Sequence, residues 1–212
     1  MPLLKGGIVL VDFDTAVVRR VIALQYNPES ITRTLQVQGV GQESGSHVDQ
    51  MRLKGPPIET IKLEIEMDAT DRLENPGSDP AVTDTGLQPQ LAALETIIYP
   101  TSAQLLAADA RARAGTLEIA PMDAPLTIFV WSKERVVPVR ITDFSVTEEM
   151  FDTALNPIRA KVSLGMRVLT IDDIGFSSKG GSIYLAYQQR KEKLAARAMS
   201  GALSALGISS VP

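Results

Sequence analysis

Residue types that carry most enzyme chemistry are sparse in this chain. Cysteine is absent and His47 is the single histidine. These two facts exclude disulfides, thiolate zinc sites, iron–sulfur clusters, cysteine nucleophiles and every two-histidine metal centre. A Ser-His-Asp arrangement would rest on His47 alone, and no G-x-S-x-G motif accompanies it. Gly39, Gly41 and Gly45 are spaced G-x-G-x-x-x-G, one residue too long for the dinucleotide fingerprint, and no helical pattern follows. The ordinary reading is a Gly/Ser loop over 39–50 with a solvated histidine. Asp68 and Asp71, three residues apart, are the spacing at which two acids could share a cation or divide acid–base work. Asp also ends strands and starts turns by bonding its own backbone, which is the simpler role here. Asp172 and Asp173 are adjacent, so on an extended chain they point to opposite faces and make a poor chelate. Trp131, the only tryptophan, closes an apolar run and reads as core rather than as a ligand platform.

The elements that must position these residues are mostly strands. Residues 7–13 and 17–26 are apolar runs ended by Asp14-Thr15 and by Asn27-Pro28. Residues 31–38 alternate, with Ile31, Arg33, Leu35 and Val37 on one face. The clearest strand follows Pro56-Pro57: Ile61, Leu63, Ile65 and Met67 point one way, and Thr60, Lys62, Glu64 and Glu66 the other. After a polar connection over 71–86, Leu87, Leu91, Leu94 and Ile98 recur at helical spacing up to Pro100. The Ala-rich stretch 102–114 reads as a second short helix. Strands return at 126–131 and 136–146, where Pro138 suggests an edge or a bulge. Residues 147–156 read as a turn or short helical excursion. The segment 158–170 alternates throughout, and its thirteen residues exceed the usual five or six, about twice the common strand length.

The last part differs. Residues 177–182 form a Gly/Ser/Lys linker, with Ser182 as an N-cap, and 183–206 read as a helix stopped by Gly207. Its stripe of Ile183, Tyr187, Leu194, Ala198 and Ala202 is narrow, and Arg190, Lys191, Lys193 and Arg197 make its flank basic. This divides the chain into a β domain over 1–176 and a linker with an amphipathic helix over 177–212. The net charge of −4 offers no basic excess for nucleic acid. No stretch approaches the roughly 18 apolar residues of a membrane helix. The run 8–11 is stopped by Asp12 and Asp14, so no signal peptide is expected and the expected location is cytoplasmic.

Several short blocks, in order, resemble one family. They are Leu24-Gln25-Tyr26-Asn27-Pro28 with Ser30 and Arg33, then Gly55-Pro56-Pro57-Ile58-Glu59 leading into Leu63 to Asp71. Leu94-Glu95 and Tyr99-Pro100 follow. The densest block holds Trp131, Arg135 to Arg140, Ser145 to Glu149, Phe151-Asp152 and Leu155 to Ala160, continuing to Val168-Leu169-Thr170. Tyr184, Tyr187, Gln188 and Lys191 to Leu194 fit as well. The likeness is to the tube-type baseplate protein of contractile injection systems, the phage-tail-like particles of bacteria.

That resemblance implies a tail-tube fold: mainly β with helices (α+β), two packed antiparallel sheets or a barrel, a flanking helix and the C-terminal helical extension. It implies a non-enzymatic, cofactor-free structural part of the baseplate. Such a protein assembles as a hexameric ring at the base of the inner tube, between spike and tube proteins, without inserting into membrane. The particle forms in the cytoplasm and can be released from it. Many members continue into a LysM module; here one helix takes that place, so a version lacking LysM is expected. The assembly residues implied are Tyr26, Asn27, Pro28, Asn156, Pro157 and Arg159, with Arg190, Lys191, Lys193 and Arg197 of the tail. A second reading, a cell-wall glycan-binding module of such a particle, requires a concave aromatic site, against an aromatic content of 5%.

The alternation over 60–67 makes a direct prediction. Leu63→Asp should lower unfolding free energy by several kcal/mol, on the order of the cost of an unpaired buried charge. Glu64→Ala on the opposite face should change it by no more than about 0.5 kcal/mol. Denaturant unfolding of the two variants checks the face assignment.

Overall fold

The computed structural model describes residues 3–39, 52–70, 84–115, 124–198, 201 and 203–211. His47, Gly41, Gly45, Asp71 and Ala202 lie outside the described residues. Among the described residues there are seven strands: β1 (Gly7–Val11), β2 (Val18–Ala23), β3 (Ile31–Gln36), β4 (Ile58–Asp68), β5 (Leu126–Val130), β6 (Val136–Phe151) and β7 (Pro157–Val168). The helices are α1 (Gln88–Glu95), α2 (Ser102–Arg113), α3 (Ile171–Ile174) and α4 (Lys179–Ala195), with a 3-10 turn at Leu203–Leu206. The mainly-β class with helices is therefore as expected.

Every strand pairing is antiparallel, in the order β2-β1-β5-β6-β7-β4-β3. Hydrogen bonds join all seven strands into one continuous sheet. The reason is the length of β6. Val136 to Val139 pair with β5, and Val139 to Phe151 pair with β7, so a single strand belongs to both halves. The halves still share one core. Ile8, Leu10 and Phe129 from one side meet Ile61, Ile65, Val162 and Leu164 from the other, together with Leu87, Leu91 and Leu94 of α1. A smaller cluster of Val11, Leu126 and Ile128 uses the opposite face of β1 and β5, which accounts for the doubly apolar sequence of 126–130.

Sequence boundaries shift where tertiary contacts decide them. Residues 147–151 continue β6, because β7 offers them a ladder as far as Phe151 opposite Pro157. Pro138 lies inside the sheet, not at an edge. Its carbonyl accepts from Leu169 N at 2.9 Å, one residue beyond β7, so its missing donor falls where that ladder ends. The bulge sits instead between Ile141 and Asp143. In the first helix the chain leaves helical geometry after Glu95, so Ile97 is buried and Ile98 is exposed. Of the expected linker over 177–182, residues 179–182 are the start of α4, and the N-cap is Ser178, not Ser182: Ser178 Oγ accepts from Gly181 N at 2.9 Å. Gly180 and Gly181 are buried in that first turn.

Gly165 shows why the long alternating strand carries a glycine. A Cβ there would lie 2.7 Å from Asp143 Cβ and 3.4 Å from Thr142 Oγ1. The β6 bulge packs directly over the hydrogen of Gly165. Gly165→Ala should therefore displace the bulge and cost about 1–3 kcal/mol, the usual range for overpacking a tight site. A lowered urea midpoint with an unchanged slope is the expected result.

Candidate assembly surfaces

The outward face of β4, β7 and β6 is polar and its side chains stand in register. Thr60, Arg167 and Arg140 form one row across the strands; Lys62, Gly165 and Asp143 form the next. Glu64, Ser163 and Ser145 follow, then Glu66, Lys161 and Thr147, then Asp68, Arg159 and Glu149. Thr34 and Thr32 of β3 extend the first two rows. Five bases (Lys62, Arg140, Arg159, Lys161, Arg167) thus share the face with five acids (Glu64, Glu66, Asp68, Asp143, Glu149). Directly opposed unlike charges stabilise such pairs modestly. Arg159 donates to Asp68 Oδ2 from Nη2 at 2.8 Å and from Nε at 3.0 Å. That bond and the Asp68 charge hold the Arg159 pKa above its ordinary value. Asp68 is lowered, first by the hydroxyl of Thr70, then by the Thr70 amide and Arg159 against the effect of burial.

The two Asn-Pro corners serve the fold's own connections. Asn27 Oδ1 accepts from Gly6 N at 2.9 Å and its Nδ2 donates to Leu4 O at 2.9 Å, which fixes the N-terminal segment beside β2. Tyr26, Asn27 and Pro28 line a cavity of about 230 Å³ with Glu29, Ser30, Glu64 and Glu66. At the other corner, Asn156 Nδ2 donates to Asp152 Oδ2 at 2.9 Å and to Asp84 O at 3.1 Å. Pro157 O accepts from Leu87 N at 2.9 Å. The corner therefore ties the β6–β7 hairpin to the start of α1. Tyr26 and Arg159 are linked through a shared cavity with Glu66, Asp68 and Glu149; Asn156 and Pro157 lie outside it.

The carboxylate that organises the tail was not singled out by its chemistry in the sequence. Glu59 lies on the core face of β4, two residues before Ile61, and is 3% exposed. Arg33 donates to its Oε1 from Nε at 2.7 Å, and its Nη2 lies 2.6 Å from the same oxygen while donating to Tyr187 Oη at 3.1 Å. Tyr187 Oη donates to Oε1 at 3.1 Å, and Lys191 Nζ to Oε2 at 3.1 Å. The Lys191 ammonium also sits 4.0 Å from the centre of the Tyr187 ring. Burial pushes the Glu59 carboxyl up, but the bonds and charges of Arg33 and Lys191 outweigh it, and its pKa falls below the ordinary value. The same burial, with the Glu59 charge, raises the Tyr187 phenol to about 12. Tyr184 and Tyr187 belong to the main core. Of the four tail bases, Lys191 is taken by Glu59 and Arg190 donates to Lys133 O, while Lys193 and Arg197 are exposed. The signal available in sequence was the coincidence of Arg33, Glu59, Tyr187 and Lys191 among the resemblance blocks.

Residues 11–172, about three quarters of the chain, match the family described as contractile injection system tube protein. The chain belongs to that family. A search of curated proteins finds no match. As a tube protein it has a structural role in such a system and assembles with other particle components. Among the described residues no helix is long and apolar enough to cross a membrane. Of the acids weighed earlier, Asp68 pairs with Arg159, and Asp173 with Arg167 at 2.8 Å while accepting from Thr170 N at 2.9 Å. Trp131 is half-buried and stacks on Phe129 with ring centres 6.3 Å apart. The match ends before α4, yet Glu59 in the matched part binds two α4 side chains, so the helix and the tube-protein region are one packed unit.

Because Glu59 has a lowered pKa in the fold, its contribution is present above its unfolded value and is lost as pH falls through the folded one. Glu59→Gln should therefore flatten the acid limb of the stability profile below about pH 4.5, the ordinary Glu value. At neutral pH it should cost about 3–5 kcal/mol, since Arg33 and Lys191 lose their shared counter-ion. Melting temperatures of both proteins from pH 7 to pH 3 check the sign.

Proposed function

We propose that this tube protein forms a sixfold ring in the baseplate, at the base of the inner tube, joining the spike to the tube. One observation carries the reading: the charge-balanced polar face of β4, β7 and β6. A sheet whose outward face is evenly mixed in charge is suited to line a water-filled channel. A lumen with no excess of either sign would neither hold nor repel a charged passenger along its length. Both sheet edges, β2 and β3, are exposed strands that a neighbouring copy can meet. In this reading the particle assembles in the cytoplasm. Lys193 and Arg197, exposed at the end of the α4 helix, face an acidic neighbour in the baseplate.

A reconstruction of the assembled particle tests the proposal. Six copies of this chain should surround the axis where spike meets tube, with the polar face inward. A threefold copy number, or a position off the axis, overturns it. The corner variant Pro157→Ala should reduce particle yield more than it lowers the melting temperature of the isolated chain. In this reading the corner sets the direction of the β6–β7 hairpin toward a neighbour.

A further inference from the structure

The β6–β7 hairpin ends in a tip that its own fold leaves on the outside. Met150, Phe151 and Leu155 are 59%, 50% and 78% exposed. Met150 and Leu155 also have φ values of 53° and 64°, a left-handed backbone that is unfavourable for bulky side chains. Asp152 holds that conformation. Its Oδ1 accepts from Ala154 N and Asn156 N, each at 2.8 Å. The tip is thus built rigidly, with apolar groups outward and Glu148 and Glu149 beside them.

A second exposed apolar surface lies on α2. This helix has a complete capping box at Thr101 and Gln104 but buries none of its residues. Leu105 and Leu106 are 50% and 70% exposed. A helix of twelve residues is marginal alone in water and gains most of its stability by covering an apolar face. Arg111 and Arg113 lie in its last turn. Arg113 pairs with Asp109 at 2.9 Å, and Arg111 makes no ion pair among the described residues. The exposed bases of the β2 edge are different: Arg19 is paired with Asp12, and Arg20 donates to Thr96 Oγ1 at 2.8 Å.

We infer that the hairpin tip of one copy docks on α2 of the next copy. Met150, Phe151 and Leu155 cover Leu105 and Leu106, and the acidic rim of the tip faces Arg111. Charge complementarity selects this occupant: among the described residues Glu148 of the tip and Arg111 of α2 make no ion pair, whereas Glu149 faces Arg159 and Arg113 pairs with Asp109. Such a contact is heterologous, so each copy offers one patch and receives the other, and repetition builds a closed ring or a stack. The inference rests on the assembly reading above, and names the surfaces by which copies meet.

The absence of cysteine makes the test direct. Leu106→Cys and Leu155→Cys are introduced together into the full chain, and separately into two single variants. After mild oxidation of assembled particles, the double variant should give a ladder of covalent multimers on a non-reducing gel. Particles assembled from a mixture of the two single variants should give dimers and nothing larger. Reversing the rim with Glu148→Arg should cut cross-linking about tenfold, and adding Arg111→Glu should restore it. Cross-linking within one chain, or to another particle protein, overturns the inference. A sixfold ring of this chain with no cross-link also overturns it, and leaves the ring reading standing. A ladder from particles whose tube base is built of another chain supports the contact and overturns the ring reading.

Discussion

β6 extends for sixteen residues, and its neighbours divide it: β5 takes the first four and β7 most of the others. The two halves of the sheet can share a core only while that strand stays continuous. Its ladder with β7 brings the apolar sides of β4 and β7 over α1, and it carries the hairpin out beyond the core. Twist accumulates along so long a pair. The bulge between Ile141 and Asp143 changes the register where Gly165 leaves room for it. The single missing Cβ and the extra β6 residue are two parts of one adjustment.

Glu59 resolves a different conflict. The core face of β4 would be apolar to its end, yet the tail helix must be held in one position against it. A buried carboxylate is costly unless its oxygens are fully bonded. Here Arg33, Tyr187 and Lys191 meet them from β3 and α4. Charge burial of this kind adds less to net stability than to uniqueness, because a slipped helix would leave an unpaired ion in the core. That sets α4 in register with the sheet although the helix lies beyond the matched family region.

The two faces of the sheet divide the labour. Apolar residues of β4 and β7 are sealed inside. Their outward neighbours form charge-mixed rows that need no partner, being already paired across strands or hydrated. Exposed apolar groups lie instead on the hairpin tip and α2, on the edge strands β2 and β3, and along the two ends of the chain, where neighbouring large apolar side chains in water indicate contact with another surface.

Period-two alternation was enough to identify β4 and β7 and to say which side chains enter the core, because each position there is decided by its immediate neighbours along the chain. The same local logic located α1 by its leucine spacing and α2 by its alanines. The ordered blocks from Tyr26 to Lys191 pointed to the family. Local logic failed at 147–151, where β7 supplies a ladder that no nearby residue announces, and at 179–182, where a composition typical of a linker becomes a helix by packing Gly180 and Gly181 tightly. Pro138 was misplaced for a similar reason: what a missing donor costs depends on where the neighbouring strand stops. Glu59 could be read in sequence only as one more acid on an alternating strand. Its partners stand 26, 128 and 132 residues away. Composition and spacing determined which segments could bury a face; the meeting of distant charges, and so the placement of the tail, was decided only by the tertiary fold, because electrostatic pairing depends on distance in space and not on distance along the chain.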